Sequence, residues 1–498
     1  MAHSLLPALD TSEPLRPDAA ARRSARPNLD DVWASLAVLV PVLVSLATRL
    51  VATDLAYHFR AGEQVLGGSI PRTETWTFTI RGVTWVDQQW GAQALLALAH
   101  RGGGLATIAV LRAALIGVTF GLIYLACRAR GAAPRSASLL SLGGFLVCLQ
   151  TLSMRPQLFG VALFAVSLWI LAGRRHRPAR LWLFPVIALA WANLHGSFVL
   201  APLLVLVAMV EDLIDRDPAW RRLALVAGVC TLATLANPFG PGAWRYVWDL
   251  GTNPVIRASV TEWAPMSVAT FSEVAFFATA AGITVWLVRR GTPVPWGSLL
   301  WLVTFFVLAL PARRGLIWWA LVAPVTVAGL LREPAEQAES ATRGGSRRLN
   351  AAVIGAIAGA ALVLVPWWRS PSDAELVTEA PVGLSAATSQ LPAGSRLLAP
   401  QPWGSWFEFA SPSTPLFVDP RIELYPPGVW SDYLTVRTAG TGWREILDRY
   451  GVEAVVVDRR TWGPLLAEMQ ADPSDWRLAS EDEDGVLFVR VHSTPDVP

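Results

Sequence analysis

The sequence predicts an α-helical polytopic membrane protein with a small extracytoplasmic α/β domain at its C-terminal end. Three observations carry that prediction. Of the 498 residues, 53% are hydrophobic and 16% charged, with a mean hydropathy of +0.41, a balance far from that of soluble domains. Apolar runs recur at about 33–51, 105–127, 136–153, 156–173, 181–194, 197–213, 223–236, 271–288, 296–310, 315–331 and 350–367, which reads as about 11 transmembrane helices. Beyond residue 369 they give way to short strand-like runs between helical patterns.

Residues 1–32 are rich in Pro, Arg and Asp and read as a disordered cytoplasmic tail. They do not read as a signal peptide, because the apolar run starts too late and lacks a small-residue cleavage site. Residues 33–368 form the membrane domain, with a first outer loop at 52–104. Its sidedness follows from arginine, since the chain has no lysine. The absence of lysine itself is most simply codon bias. With the tail inside, the inner loops carry Arg128, Arg130 and Arg135, then Arg174, Arg175, Arg177 and Arg180, then Arg216, Arg221 and Arg222. Arg289 and Arg290 follow, then Arg332, Arg343, Arg347 and Arg348 in what reads as a solvated linker. This positive-inside pattern places the 52–104 loop and residues 369–498 outside a plasma membrane. The net charge of +3 is too small to argue for nucleic acid. Cys127, Cys148 and Cys230 lie in apolar runs, so no disulfide framework is expected.

The region 369–498 offers strand-like runs at Arg396–Ala399, Leu416–Val418, Ala454–Val457 and Val486–Val491, with helical patterns at Trp443–Tyr450 and Trp462–Gln470. Their alternation predicts a partly parallel sheet.

The outward-facing residues with chemical potential start in the first loop. Asp54 and His58 are four apart and share a face if Asp54–Leu66 is a helix along the interface, with Leu55, Phe59, Val65 and Leu66 as its greasy side. Asp54 then suits a general base, with His58 positioning it or binding phosphate. The plainer reading makes Asp54 a helix cap and His58 an interface residue. Arg155, Arg313 and Arg314 stand on the outer side against the charge trend, where they need a carboxylate or a lipid phosphate, or else snorkel to headgroups. Asn193 and His195 break an apolar stretch and suit a phosphate or sugar hydroxyl, or a tight turn at Gly196. Glu262 beside Trp263 suits a sugar, or an interfacial anchor. No HExxH or paired CxxC spacing occurs, the first outer loop holds no DxD, and Asp54, His58 and Glu74 leave room for a divalent cation without demanding one. Walker and GxGxxG loops are absent, which disfavours nucleotide-driven work.

The order of motifs resembles the GT-C superfamily of polyprenyl-phosphate-sugar glycosyltransferases and oligosaccharyltransferases. The resemblance runs through Asp54-x-x-x-His58-x-x-x-Gly62, Ser69-Ile-Pro71-Arg-Thr-Glu74 and Trp85-Val-Asp-Gln-Gln-Trp90. It continues in Arg155-Pro156, Trp191-x-Asn193-x-His195-Gly196-Ser197, Asn237-Pro238, Glu262-Trp263 and the Arg313-Arg314 pair. It reaches Trp403-Gly404-Ser405 and Val418-Asp419-Pro-Arg421 in the tail, and so covers nearly the whole chain. It implies a GT-C-like fold and a carboxylate base, which maps onto Asp54. Glu74 stands where Asp is usual, and Gln89, where Glu is frequent, cannot act as a base. The implied reaction is an inverting transfer of a hexosyl or pentosyl group from a polyprenyl-phosphate-linked sugar to a cell-envelope glycan, lipid or protein. Arg155, Arg313 or Arg314 would hold the lipid phosphate, with Asn193 and His195 orienting sugar or phosphate. The competing class is a lipid-linked-sugar transporter or envelope scaffold, which would scatter these groups or bring them to mid-membrane.

Overall fold

The computed structural model describes residues 27–331 and 346–491. Most of the expected N-terminal tail and of the Arg332–Arg348 linker therefore lies outside the described residues.

Among the described residues, fourteen helices build the first part: α1 Leu29–Ala47, α2 Ala56–Leu66, α3 Trp90–Ala129, α4 Pro134–Cys148, α5 Pro156–Ala172, α6 Phe184–Leu194, α7 Leu200–Ile214, α8 Trp220–Ala233, α9 Gly242–Thr252, α10 Pro254–Ser259, α11 Phe271–Arg289, α12 Trp296–Ala309, α13 Leu316–Ala328 and α14 Arg347–Leu364. α1 starts four residues earlier than its apolar run. A capping box explains this: Asn28 Oδ1 accepts from the Asp31 amide, and Asp31 returns the bond. α3 is two helices joined at Gly103 and Gly104, where Gly104 has φ +61°. This lets the polar loop's last helix turn into a span.

Among the described residues five helices are long and apolar enough to cross a membrane: Leu29–Ala47, Trp90–Ala129, Gly196–Ile214, Phe271–Arg289 and Arg347–Leu364. Shorter apolar helices lie between them. Their outer faces expose Val118, Leu125, Leu146, Leu189, Leu206 and Val303, more apolar surface than water tolerates in one patch. The protein is an integral membrane protein. One continuous core runs through the bundle, from Ala37 and Phe120 to Trp191, Phe305 and Trp319. At one end of the bundle, Arg174 pairs with Asp212 at 2.6 Å and Glu211 at 2.9 Å, and Trp301 Nε1 donates to Glu211 at 2.7 Å.

The C-terminal part carries α15 Asp373–Leu376, α16 Val382–Ser389, α17 Gln401–Ala410, α18 Pro427–Arg437, α19 Trp443–Tyr450 and α20 Gly463–Gln470. Strand β1 Leu50–Val51 pairs in parallel with β2 Val377–Thr378. The main sheet uses β3 Leu397–Leu398, β4 Ala454–Asp458, β5 Trp476–Glu481 and β6 Gly485–Arg490, in the order β3-β4-β6-β5. Only β3 and β4 are parallel. Both faces are covered: Val455 and Val457 pack with Trp443 and Trp462, and Ala454 and Val456 with Leu384 and Phe407. This is why β4 reads as an unbroken apolar run.

Two differences from the sequence reading shape the site. Leu416–Val418 is not a strand of the sheet. Leu416 bridges both Leu397 and Thr77, so it links the sheet edge to the first loop. The 56–66 helix does not lie along an interface either. Leu55, Phe59, Ala61 and His58 are buried, and α2 packs on α3, where a methyl group on Gly62 would collide with the Gln93 carbonyl.

Candidate functional site

Five helix-end segments meet at the end of the bundle opposite Arg174. Asp54 lies in the turn between β1 and α2, Arg155 at the N-cap of α5, and His195 between α6 and α7. Glu262 and Trp263 form a short turn before α11, and Arg313 and Arg314 another before α13. Asp54 does not cap α2; the N-cap is Leu55, with no side-chain bond. Its carboxylate is thus free for a tertiary partner, and it takes Arg155.

Arg155 Nη1 sits between two carboxylates, 3.2 Å from Asp54 Oδ2 and 2.5 Å from Glu262 Oε1. Residues 107 apart in sequence are joined by that second bond. Arg314 lies 4.4 Å from the ring centroid of Trp263, a cation–π seat. It acts electrostatically on Asp54, Glu262, Arg155 and Tyr246, and has no ion pair within contact distance among the described residues. Asp54 and Glu262 remain 29% and 40% exposed although enclosed by protein, so they line a recess open to solvent. Burial pushes the Asp54 carboxyl above its ordinary range, partly offset by Arg155. Burial acts in the same sense on Glu262, but Arg155 and Arg314 outweigh it and hold that carboxyl low. Two carboxylates from separate segments are therefore pushed in opposite directions, the pattern of groups given different tasks.

His195 is buried. Its Nδ1 accepts from the Ser197 amide at 3.0 Å and faces Ser197 Oγ at 2.8 Å. That acceptor role places the proton of the neutral ring on Nε2. Burial, then Arg314, drops its pKa to about 3, so it stays neutral and can only donate from Nε2 or accept no charge at working pH.

Other sequence candidates are held elsewhere. His58 does not join Asp54; its Nδ1 faces Gln93 Nε2 at 3.3 Å, and Gln93 donates to Asp87 at 2.8 Å. Burial pushes Asp87 up to about 7 and drives His58 well down. Asn193 is spent on structure: it accepts from Trp90 Nε1 at 3.1 Å and donates to the Leu189 and Ala236 carbonyls. Arg313 pairs with Glu273 at 3.0 Å, the capping-box residue of α11. Glu74 is fully buried at the junction with the C-terminal domain, where it binds Arg421 at 2.6 Å and caps the amides of Trp76 and Thr77. Asp54, His58 and Glu74, left open by the sequence as cation ligands, thus do not converge.

That junction was not legible in the sequence. Arg421 binds Glu74, Asp419 at 2.5 Å and Glu408 at 3.3 Å, and lies against the edge-to-face pair Trp76 and Trp85, 4.4 Å from each ring. Two residues further on, Glu423 Oε1 accepts from Tyr246 on α9 at 2.9 Å. Tyr57 feels both Asp54 and Glu423, and Tyr246 lies within electrostatic reach of Arg314. The C-terminal domain thus brings a third carboxyl, Glu423, to Tyr246 and within electrostatic reach of Tyr57. A lone Tyr and a lone Glu 177 apart carry no sequence signal.

Together these features define a membrane protein with an arginine–carboxylate recess at one end of its bundle, roofed by a small α/β domain. Comparison with solved structures sharpens this. The chain superposes on the oligosaccharyltransferase AglB from Archaeoglobus fulgidus, in complex with an inhibitory peptide and a dolichol-phosphate, with TM-score 0.57 and 12% identity over 93% of this chain and 75% of that one. It superposes on ArnT from Cupriavidus metallidurans in the apo state with TM-score 0.51 and 18% identity over 91% and 96%. The chain has the GT-C fold. No protein-family model and no curated protein sequence matches it.

Proposed function

We propose that this protein is an integral membrane glycosyltransferase that moves a sugar from a polyprenyl-phosphate donor to a cell-envelope acceptor on the outer face. The observation that carries the reading is the recess in which Asp54, Arg155, Glu262 and Arg314 meet from four separate segments. The apolar runs cross about 11 times by composition, and the arginine pattern puts the recess and the C-terminal domain outside the cell. Nucleotide sugars are cytoplasmic, so an outer site calls for a lipid-linked donor. That AglB was captured with dolichol-phosphate supports a polyprenyl phosphate in this fold.

The step balances as a single displacement. The acceptor hydroxyl oxygen attacks the anomeric carbon while Asp54 removes its proton, and the bond from that carbon to the phosphate oxygen breaks with both electrons leaving on the phosphate. Arg314, the cation free of carboxylate contact, takes the growing phosphate charge. His195 orients through its Nε2–H. The anomeric centre inverts. Clustering at a helix-end recess supports surface chemistry over transport, which would place such groups at mid-membrane. The test is transfer from synthetic polyprenyl-phosphate sugars by purified protein. Full activity of Asp54→Asn would sink the assignment of the base.

A further inference from the structure

The sequence left room for a divalent cation beside Asp54, and the structure offers a second carboxylate, Glu262, to bind one. The donor set does not fit. A divalent ion shared by Asp54 and Glu262 would need oxygens at about 2.0–2.6 Å. The place that satisfies both carboxylates is already held by Arg155 Nη1, at 3.2 and 2.5 Å. Charge points the same way. Asp54 and Glu262 bring two negative charges, and Arg155 and Arg314 two positive ones. The Asp54–Glu262 pair is thus already matched by protein cations, with Glu379 and Glu423 lying outside the pair. Among the described residues no three His, Cys, Asp or Glu side chains gather at one point.

We propose that Arg155 is the built-in cation of this site: its guanidinium does at the Asp54–Glu262 pair what a bound divalent ion does between two carboxylates, so the transfer needs no added metal. This rests on the glycosyltransferase reading for its chemistry, but not for its geometry. A guanidinium suits the task. It is charged at every working pH, its Nη1 holds one oxygen of each carboxylate, and it is aimed before substrate arrives. Arg155 is thus a positioning residue acting through Asp54. It keeps that carboxylate ionised where enclosure by protein disfavours the charge, and turns one oxygen away while leaving the other to the acceptor. The remaining groups facing Asp54 are Glu262 and Arg314 from the neighbouring turns, Glu379 from the segment after β2, and Tyr57 on α2. Among the described residues, Arg155 alone forms an ion pair with it. Arg314 is thereby released from holding carboxylates and left for the donor phosphate.

The experiment uses the full chain in lipid nanodiscs, with Mn²⁺ as the probe. Electron paramagnetic resonance should show no Mn²⁺ bound by the wild type at stoichiometric level, and transfer should be unchanged by EDTA or by added Mg²⁺ or Mn²⁺. Arg155→Gln should lose about 100-fold in kcat, and the acidic limb of its pH–rate profile should move to higher pH, because the group that held Asp54 ionised is gone. Arg155→Lys should recover about a tenth of the wild-type rate. Mn²⁺ bound by the wild type and lost in Glu262→Gln, or EDTA inactivation reversed by Mn²⁺, overturns the proposal; so does an Arg155→Gln profile that is lowered without moving. If no donor is turned over at all, the glycosyltransferase reading fails, while Mn²⁺ binding still decides the question of the cation.

Discussion

Replacing Arg421 by Ala tests how the C-terminal domain is fastened over the recess. The side chain is buried, and it contacts Glu74, Asp419 and Glu408 while lying against the Trp76–Trp85 ring pair. Removing it strands three carboxyls. They are not equivalent: burial and then Asp419 push Glu408 well above the carboxylate range, while Asp419, despite burial, is held low by Arg421. Losing one partner of a buried ion pair costs about 3–5 kcal/mol. Two cation–π faces add about 1–2 kcal/mol each when desolvated, but shared partners make these terms overlap. About 4 kcal/mol of docking free energy, a shift on the order of 10 °C for a domain of this size, is the expected loss. Tryptophan fluorescence melts read it directly, and limited proteolysis should release the C-terminal domain. Asp419→Asn or Glu74→Gln in the Arg421→Ala background should restore part of the loss. Glu408→Gln alone should cost less than Asp419→Asn alone, since burial and Asp419 favour the neutral form of Glu408 whereas Arg421 favours the ionised form of Asp419. The sign follows from linkage: a carboxyl with a raised folded pKa stabilises below that pKa, and docking weakens as pH rises through it. An Arg421→Ala protein with unchanged melting and proteolysis would refute the reasoning, because the junction would then carry no free energy.

Four further outcomes are expected. Arg314→Ala should raise KM for the lipid-phosphate donor by about 10–100-fold, whereas Arg313→Ala, which loses its pairing with Glu273, should lower thermal stability and leave KM within about twofold. The rate should fall as pH drops through a pKa above the usual carboxylate range, because burial raises Asp54 and only its ionised form accepts the proton; a limb at an ordinary aspartate pKa in a pH titration of kcat/KM would contradict this. Tyr246→Phe and Glu423→Gln should raise KM for the acceptor more than for the donor, by about tenfold, read from two-substrate kinetics. Gly62→Ala should cost about 1–3 kcal/mol in thermal melts, since its methyl group meets the Gln93 backbone.

The membrane helices were legible as long apolar runs, and Trp443–Tyr450 was legible to the residue. β5 was missed because Arg477, Leu478 and Ala479 are exposed, which leaves no apolar run. Leu416–Val418 has the composition of a strand, and only the position of the first loop makes it a bridge instead. In the site, residue type alone did not separate function from scaffolding. Arg155 and Arg313 looked alike as outer arginines, yet one meets Asp54 and the other meets a helix cap. Asn193 and Glu74 looked like site residues because buried structural bonds use the same polar side chains as ligand binding does. Asn193 also meets Trp90, 103 residues away, and Glu74 meets Arg421, farther still, distances that only the fold closes.

The central claim is that Asp54 removes the acceptor proton in transfer from a polyprenyl-phosphate sugar. The direct measurement is single-turnover transfer by wild type and Asp54→Asn in nanodiscs, with donor binding measured alongside. The account predicts transfer by the wild type, a loss of at least about 100-fold in the variant, and donor affinity within about threefold. Equal rates for the two proteins, or turnover of a nucleotide sugar in place of the lipid-linked donor, would contradict it.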